Sequence, residues 1–294
     1  MKSNFEQKQP EKEKISEYKE IYEAVQNADI VSGHENKNWS IEDLESHLSS
    51  ALKLSGEKSL EDNNGTIYTT LSGGLDSTLS LALLRKNFPD AKIVTFTMGG
   101  DENHPDIKYA RLASKKFNVE NIEIIPKTEE IQEVLAEYQE KFPECNLEEA
   151  VGKGDFDVYL LYKNISRLAP KSLVVHDGID ELMGGYWNHR KDNTIEERRR
   201  IFADYWRKLI PEHLEPLIKT SQSFNIRLIF PFLDKKLISA ISEIPVEDRA
   251  SDRVGKKPLR KIAEMLGVPE EIIKREKRGQ LGMTEIESLR EVKK

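Results

Sequence analysis

The chain reads as an α/β protein on a doubly wound parallel sheet, with a mainly helical C-terminal part. Three observations predict this. A short β-rich run, Ile67-Tyr68-Thr69-Thr70-Leu71, breaks at Ser72-Gly73-Gly74 and resumes as a helical apolar pattern through Leu79, Leu81, Leu83 and Leu84. Strands and helices then alternate over about residues 65–176, as in a parallel sheet with helices on both faces. Beyond Gly185 the alternation stops and helical spacing takes over.

Residues 1 to about 14 are almost wholly polar and read as a tail. Ile15, Tyr18, Ile21, Tyr22 and Val25 recur at helical spacing, and this stripe is expected to dock on the body or on another subunit. Residues 32–38 read as a linker. Ser40 caps a helix carrying Leu44, Leu48, Leu52 and Leu54, and Glu61–Gly65 turns into the first strand. The second strand is Lys92–Thr97, followed by a helix over Pro105–Phe117. The third strand is Ile122–Ile125, with a helix over Glu129–Phe142. After an irregular stretch, helix Tyr159–Leu168 leads to the fourth strand, Ser172–Val175. Helices over Glu196–Ile210, Leu237–Ile244 and Pro258–Leu266 follow. The expected organisation is a polar tail and helix over 1–40 and one domain over 41–294, with an α/β core at about 65–190 and a helical part at about 191–294.

The turn after the first strand is built for a polyphosphate. Gly73 and Gly74 let the backbone approach an anion, and the following helix offers unpaired N–H groups and the positive end of its dipole. Ser72, Ser77 and Thr78 add hydroxyls, and Asp76 can hold a divalent cation beside a phosphate. A Walker A lysine is missing, and Gly152-Lys153-Gly154 lacks the third glycine of a dinucleotide fingerprint.

Composition narrows the function classes. Charged residues make up 33% of the chain and its net charge is -7, which disfavours a nucleic-acid partner held by phosphate contacts. No apolar run spans a bilayer, and the Lys/Glu/Gln-rich start is unlike a signal peptide, so the cytoplasm is the default location. Cys145 is the only cysteine, which excludes an internal disulfide, and the histidines form no His-x-x-x-His pair for zinc.

The fourth strand runs into His176-Asp177-Gly178-Ile179-Asp180-Glu181-Leu182-Met183-Gly184-Gly185-Tyr186. Three carboxylates crowded at a strand end are costly unless they meet cations or protonate. In a doubly wound sheet they face Asp76 across the crevice, and Asp76 with Asp180 makes a plausible Mg²⁺ pair. An acid-decorated helix N-terminus is the competing reading.

The loop Ser72–Ser77 resembles that of the ATP pyrophosphatases, and Asp177–Tyr186 is similar to the second signature of the asparagine synthetase synthase domain and the β-lactam synthetases. Pro231-Phe232-Leu233-Asp234 and Lys256-Lys257-Pro258-Leu259-Arg260, with Pro269 and Arg275-Glu276-Lys277, match further segments in the same order, from about Ile41 to Gln280. The resemblance implies an adenine-nucleotide α-hydrolase-like fold with ATP and Mg²⁺ as cofactors. It places pyrophosphate and Mg²⁺ on Ser72, Gly73, Gly74, Asp76 and Ser77, and the second metal contact on Asp180. Leu71, Val94, Met98 and Gly178 fall on the nucleotide, and Lys256 is the lysine that neutralises charge developing on the α-phosphate. A carboxylate, aspartate or a related acid, would attack ATP to give an acyl-adenylate, and ammonia or another amine would displace AMP.

Departures from the pattern shape the expectations. Lys2 and the 64 residues before Gly65 leave no glutaminase domain, so nitrogen is expected as free ammonia, as another amine or from a separate glutaminase subunit; a homodimer is also compatible. The family's Ser-Gly-Glu reads Val175-His176-Asp177. Asp177 keeps a base with shorter reach, and His176 could stack on adenine, contact phosphate or block the pocket. The expected substrate loop reads Glu148–Asp157, where Lys153 is a candidate for a substrate carboxylate and equally an exposed lysine. Before Pro231, the family's charged pattern becomes Arg227-Leu228-Ile229-Phe230. The competing reading is a catalytically reduced ATP-binding regulatory or partner subunit of the same fold; an RNA-modifying enzyme is disfavoured by the acidic balance.

Overall fold

A computed structural model describes residues 17–32, 38–191 and 194–275, with the side chains of Gly152 and Lys153 excepted. The whole tail, Ile15, linker residues 33–37, the Lys153 side chain, Glu276, Lys277 and Gln280 therefore lie outside the described residues. Two helices, α1 (Lys19–Asn27) and α2 (Ile41–Asp62), precede β1 (Thr66–Thr70). Then come α3 (Leu75–Asn87), β2 (Lys92–Met98), α4 (Pro105–Phe117), β3 (Glu120–Ile124) and α5 (Thr128–Lys141). The stretch before the fourth strand folds as α6 (Leu147–Lys153) and α7 (Asp155–Ser166), followed by β4 (Ser172–Val174) and α8 (Ile179–Met183).

Next come α9 (Ile195–Lys208), a π-helical turn Leu209–Leu214 and α10 (Glu215–Gln222). β5 (Arg227–Ile229), α11 (Lys235–Ser242), α12 (Val246–Arg249), α13 (Lys257–Met265) and α14 (Glu270–Ile273) complete the order.

All strand pairings are parallel, in the order β3-β2-β1-β4-β5. The order reverses between β1 and β4, so the doubly wound class holds and the ligand crevice lies beyond the carboxyl ends of those two strands. β2 is buried from Ile93 to Thr97, as a strand covered on both faces must be. The helices α2, α3 and α4 pack together, as do α5, α7 and α10.

Two expectations need correction. The sequence shows four strands; the structure has a fifth, β5, paired along Ser172–Val174. Three residues are too few to carry a periodic signal, and pairing with β4 rather than local propensity makes them a strand. The stretch read as irregular before Tyr159 is helical: Asn146 caps α6 through the Glu148 and Glu149 amides, and Gly154 in a left-handed conformation separates it from α7.

The N-terminal stripe docks on the body. Tyr18 is buried, its hydroxyl oxygen accepting the Leu228 amide of β5 at 2.9 Å. Trp206 Nε1 donates to the Val25 carbonyl at 3.0 Å. The apolar core runs continuously from this helix through the sheet to α13 and α14.

Candidate active site

The crevice floor is laid by the two strand ends. After β1 the chain turns through Ser72-Gly73-Gly74 into α3, whose N-cap residue, Gly74, offers no side chain to the first amides. Gly73 has φ of +63°, and a Cβ there would lie 2.5 Å from the Ala110 backbone nitrogen, so only glycine lets the loop press against α4. The hydroxyls of Ser72 and Ser77 lie 3.2 Å apart inside the loop. Arg275 closes it from outside: Nη1 donates to the Ser72 carbonyl at 2.8 Å, Nη2 pairs with Asp106, and the guanidinium lies over the Tyr109 ring.

Across the crevice, β4 leads through His176-Asp177-Gly178 into α8, with Gly178 as N-cap residue. Asp180 and Glu181 are buried in its first turn. Glu181 accepts the Tyr186 hydroxyl at 2.7 Å; burial, with the nearby Asp180 charge, raises the Glu181 carboxyl above the usual carboxylate range.

Between the two halves stands Lys256. Its Nζ pairs with Asp76 and lies 2.6 Å from Asp180 Oδ1, and its side chain is only 7% exposed. Lys256 sits at φ of +57°, an uncommon conformation for a non-glycine residue, held by its amide's 2.9 Å bond to the Met183 carbonyl. Gly185 makes room for this approach, because a Cβ there would overlap Asp180 Oδ1 and lie 2.5 Å from Lys256 Cε. Asp76 Oδ1 is buried without a hydrogen-bond partner among the described residues.

The structure thus brings Ser72, Gly73, Gly74, Asp76, Ser77, Asp177, Gly178, Asp180 and Lys256 to one end of the sheet. Leu71 and Met98 reach the same end, Leu71 through its amide on Phe96 O and its carbonyl under Thr97 Oγ1. Val94 is set apart: it sits mid-strand in β2, buried opposite Tyr68 and four positions before Met98. His176 turns to the floor, where Nε2 lies 2.8 Å from the Thr70 carbonyl and joins the ends of β1 and β4. Burial lowers its basicity, so the ring stays neutral near pH 7.

Sequence reasoning missed His213 and gave Arg275 no place in the site. His213, on the π-helical turn, places Nε2 2.6 Å from Asp177 Oδ1. Arg275 was legible only as part of a matching segment, with nothing local to point it at Ser72. The nearest signal for His213 is Pro211: a proline within a helical run removes a hydrogen bond, and here the helix widens to a π turn.

The chain is 28% identical over 222 residues to a putative glutamine-hydrolysing asparagine synthetase of Methanocaldococcus jannaschii, covering 74% of this chain and 39% of that protein. It is 28% identical over 217 residues to the glutamine-hydrolysing asparagine synthetase of Bos taurus, covering 70% and 38%. The chain thus spans about two fifths of the length of these relatives. Among solved structures, the NH3-dependent NAD synthetase of Campylobacter jejuni superposes with a TM-score of 0.35 at 19% identity, covering 70% of this chain and 95% of that one. The asparagine synthase family model matches residues 62–220 and 197–293, and the chain belongs to that family.

Proposed function

We propose that the chain is an ATP-dependent amide ligase that forms AMP and pyrophosphate, adenylating a carboxylate and passing the acyl group to ammonia or another amine. The observation that carries this reading is the ammonium of Lys256 held between Asp76 and Asp180, where the polyphosphate loop faces α8. A buried lysine with a carboxylate on each side is poised to exchange partners when a more highly charged anion arrives.

In the proposed reaction, the Ser72–Ser77 loop and the first amides of α3 hold the departing pyrophosphate. Leu71, Met98 and Gly178 frame the nucleoside side, while Val94 stays in the strand interior. Lys256 turns to the α-phosphate, where it offsets the charge that grows as the substrate carboxylate attacks phosphorus. Pyrophosphate leaves, the amine attacks the acyl carbon, and AMP leaves with the bonding pair; Asp177 takes part in removing the amine's proton in this second step.

Asp76 and Asp180 also suit Mg²⁺. The cation takes one or two carboxylate oxygens plus substrate phosphates, and Asp76 Oδ1 is a buried oxygen without a hydrogen-bond partner among the described residues. Among those residues, no three His, Cys, Asp or Glu side chains gather into a metal site, so the phosphates would complete the coordination. Bound there, Mg²⁺ would supply charge neutralisation for the pyrophosphate.

Aspartate is the first acid to test, since relatives carry the name asparagine synthetase. Their names also specify glutamine hydrolysis, which makes glutamine one candidate nitrogen source. The test is mass-spectrometric product analysis with ATP, Mg²⁺, ammonium and a panel of carboxylic acids. AMP, pyrophosphate and an amide appearing together support the reading; ATP binding without AMP from any acid replaces it with a regulatory ATP-binding role.

A further inference from the structure

The nitrogen end of the crevice carries a feature outside the expected signature. Asp177 follows β4, and His213 reaches it from a separate element, the π-helical turn between α9 and α10, with Nε2 2.6 Å from Oδ1. We infer that His213 and Asp177 act as one proton-accepting pair for the incoming amine. This rests on the amide-ligase reading above and assigns its second half-reaction to a residue that the matching segments do not include.

Three observations support it. Exposure rises outward across the crevice: Lys256, Asp180 and Asp76 side chains are 7%, 12% and 15% exposed, whereas Asp177 is 22% and His213 45%. The inner groups fit anionic phosphate chemistry shielded from water, and the outer pair can return a proton to solvent after each turnover. Second, a polar contact this exposed contributes little to stability, about 0–1 kcal/mol, so holding the fold together is a poor reason for it. Third, His213 reaches Asp177 through an irregular helical turn, and π turns in helices are frequent at functional sites.

The chemistry balances. The amine's lone pair forms the C–N bond, the acyl C–O bond to phosphate breaks, and its electron pair leaves on AMP. The one proton lost from nitrogen goes to the imidazole, and the resulting imidazolium is held by the Asp177 carboxylate. An imidazole titrates close to neutral pH and suits this role better than a lone carboxylate. Among the other titratable groups facing the pair are Glu181 on α8, which feels His213, and Tyr162 on α7, Tyr186 and His176, which feel Asp177. On its own segment, Glu212 pairs with Lys208.

The test separates the two half-reactions in the full chain, with Mg²⁺-ATP, the acid activated in the panel above, and ammonium. His213→Gln keeps a hydrogen-bonding side chain and removes the base. Acid-dependent ATP–pyrophosphate exchange should stay within about twofold, while amide formation falls by roughly 10²-fold or more. The acidic limb of the pH profile for amide formation should vanish, and added imidazole should restore part of the rate in His213→Ala. An unchanged amide rate in His213→Gln, or equal loss of exchange and amide formation, overturns the pair. Absence of exchange in the wild type with every acid overturns the ligase reading itself, and the pair's role with it.

Discussion

Lys256 Nζ lies 2.6 Å from Asp180 Oδ1 and pairs on its other side with Asp76, a residue 180 positions away in the chain. This bridge ties the loop after β1 to the helix after β4 and fixes the width of the crevice between them. Replacing Lys256 by methionine leaves the buried Asp180 and the largely buried Asp76 facing each other without a cation. Lys256→Met should lower stability by about 3 kcal/mol, read by urea denaturation, and abolish pyrophosphate formation.

Gly185 is where the bridge is most easily broken without removing any of its charges. Gly185→Ala forces Asp180 or Lys256 aside. Pyrophosphate formation should fall on the order of 10²-fold, with a stability loss of roughly 1–3 kcal/mol. Steady-state kinetics beside a denaturation curve separates the two effects.

Arg275 acts on the loop's shape through the Ser72 carbonyl and Asp106. A lysine retains the charge and loses the forked geometry. Arg275→Lys should raise the KM for ATP about tenfold, the equivalent of one charge-assisted hydrogen bond, with a smaller change in kcat.

Asp157 on α7 supplies a pH signature distant from the loop chemistry. Burial pushes its carboxyl up to about 7, and Oδ2 has no hydrogen-bond partner among the described residues. Its folded pKa is above its unfolded value, so the folded chain holds the proton more tightly. The stabilisation is present below the unfolded pKa and is lost as pH rises through about 7. Between about pH 4 and 7, wild type should therefore lose up to roughly 4 kcal/mol relative to Asp157→Asn. Thermal or urea unfolding of both proteins across that range checks the slope.

How much was legible follows from how local each feature is. The Ser72–Ser77 loop occupies six consecutive residues between a strand and a helix, so composition and order alone single it out. The acids after β4 were equally plain. Lys256 was reached only through a resemblance, because no local pattern distinguishes a buried lysine before a helix from an exposed one, and its bridge to Asp76 and Asp180 shows only in the fold. His213 was invisible as a partner: it lies 36 positions from Asp177, and only the tertiary fold brings the two together. β5 was missed for a related reason, since its three residues are a strand only beside β4. The residues expected on the adenine side divide the same way: Leu71 and Met98 sit at the strand ends, and Val94 stays in the strand interior.

The central claim is that a carboxylate attacks the α-phosphate in the crevice bridged by Lys256. The most direct measurement uses the activated acid labelled with ¹⁸O in its carboxyl group and follows AMP and pyrophosphate by mass spectrometry. Formation of an acyl-adenylate and its capture by an amine predicts one ¹⁸O in each AMP and none in pyrophosphate. Unlabelled AMP, or ADP and phosphate as products, would contradict the account.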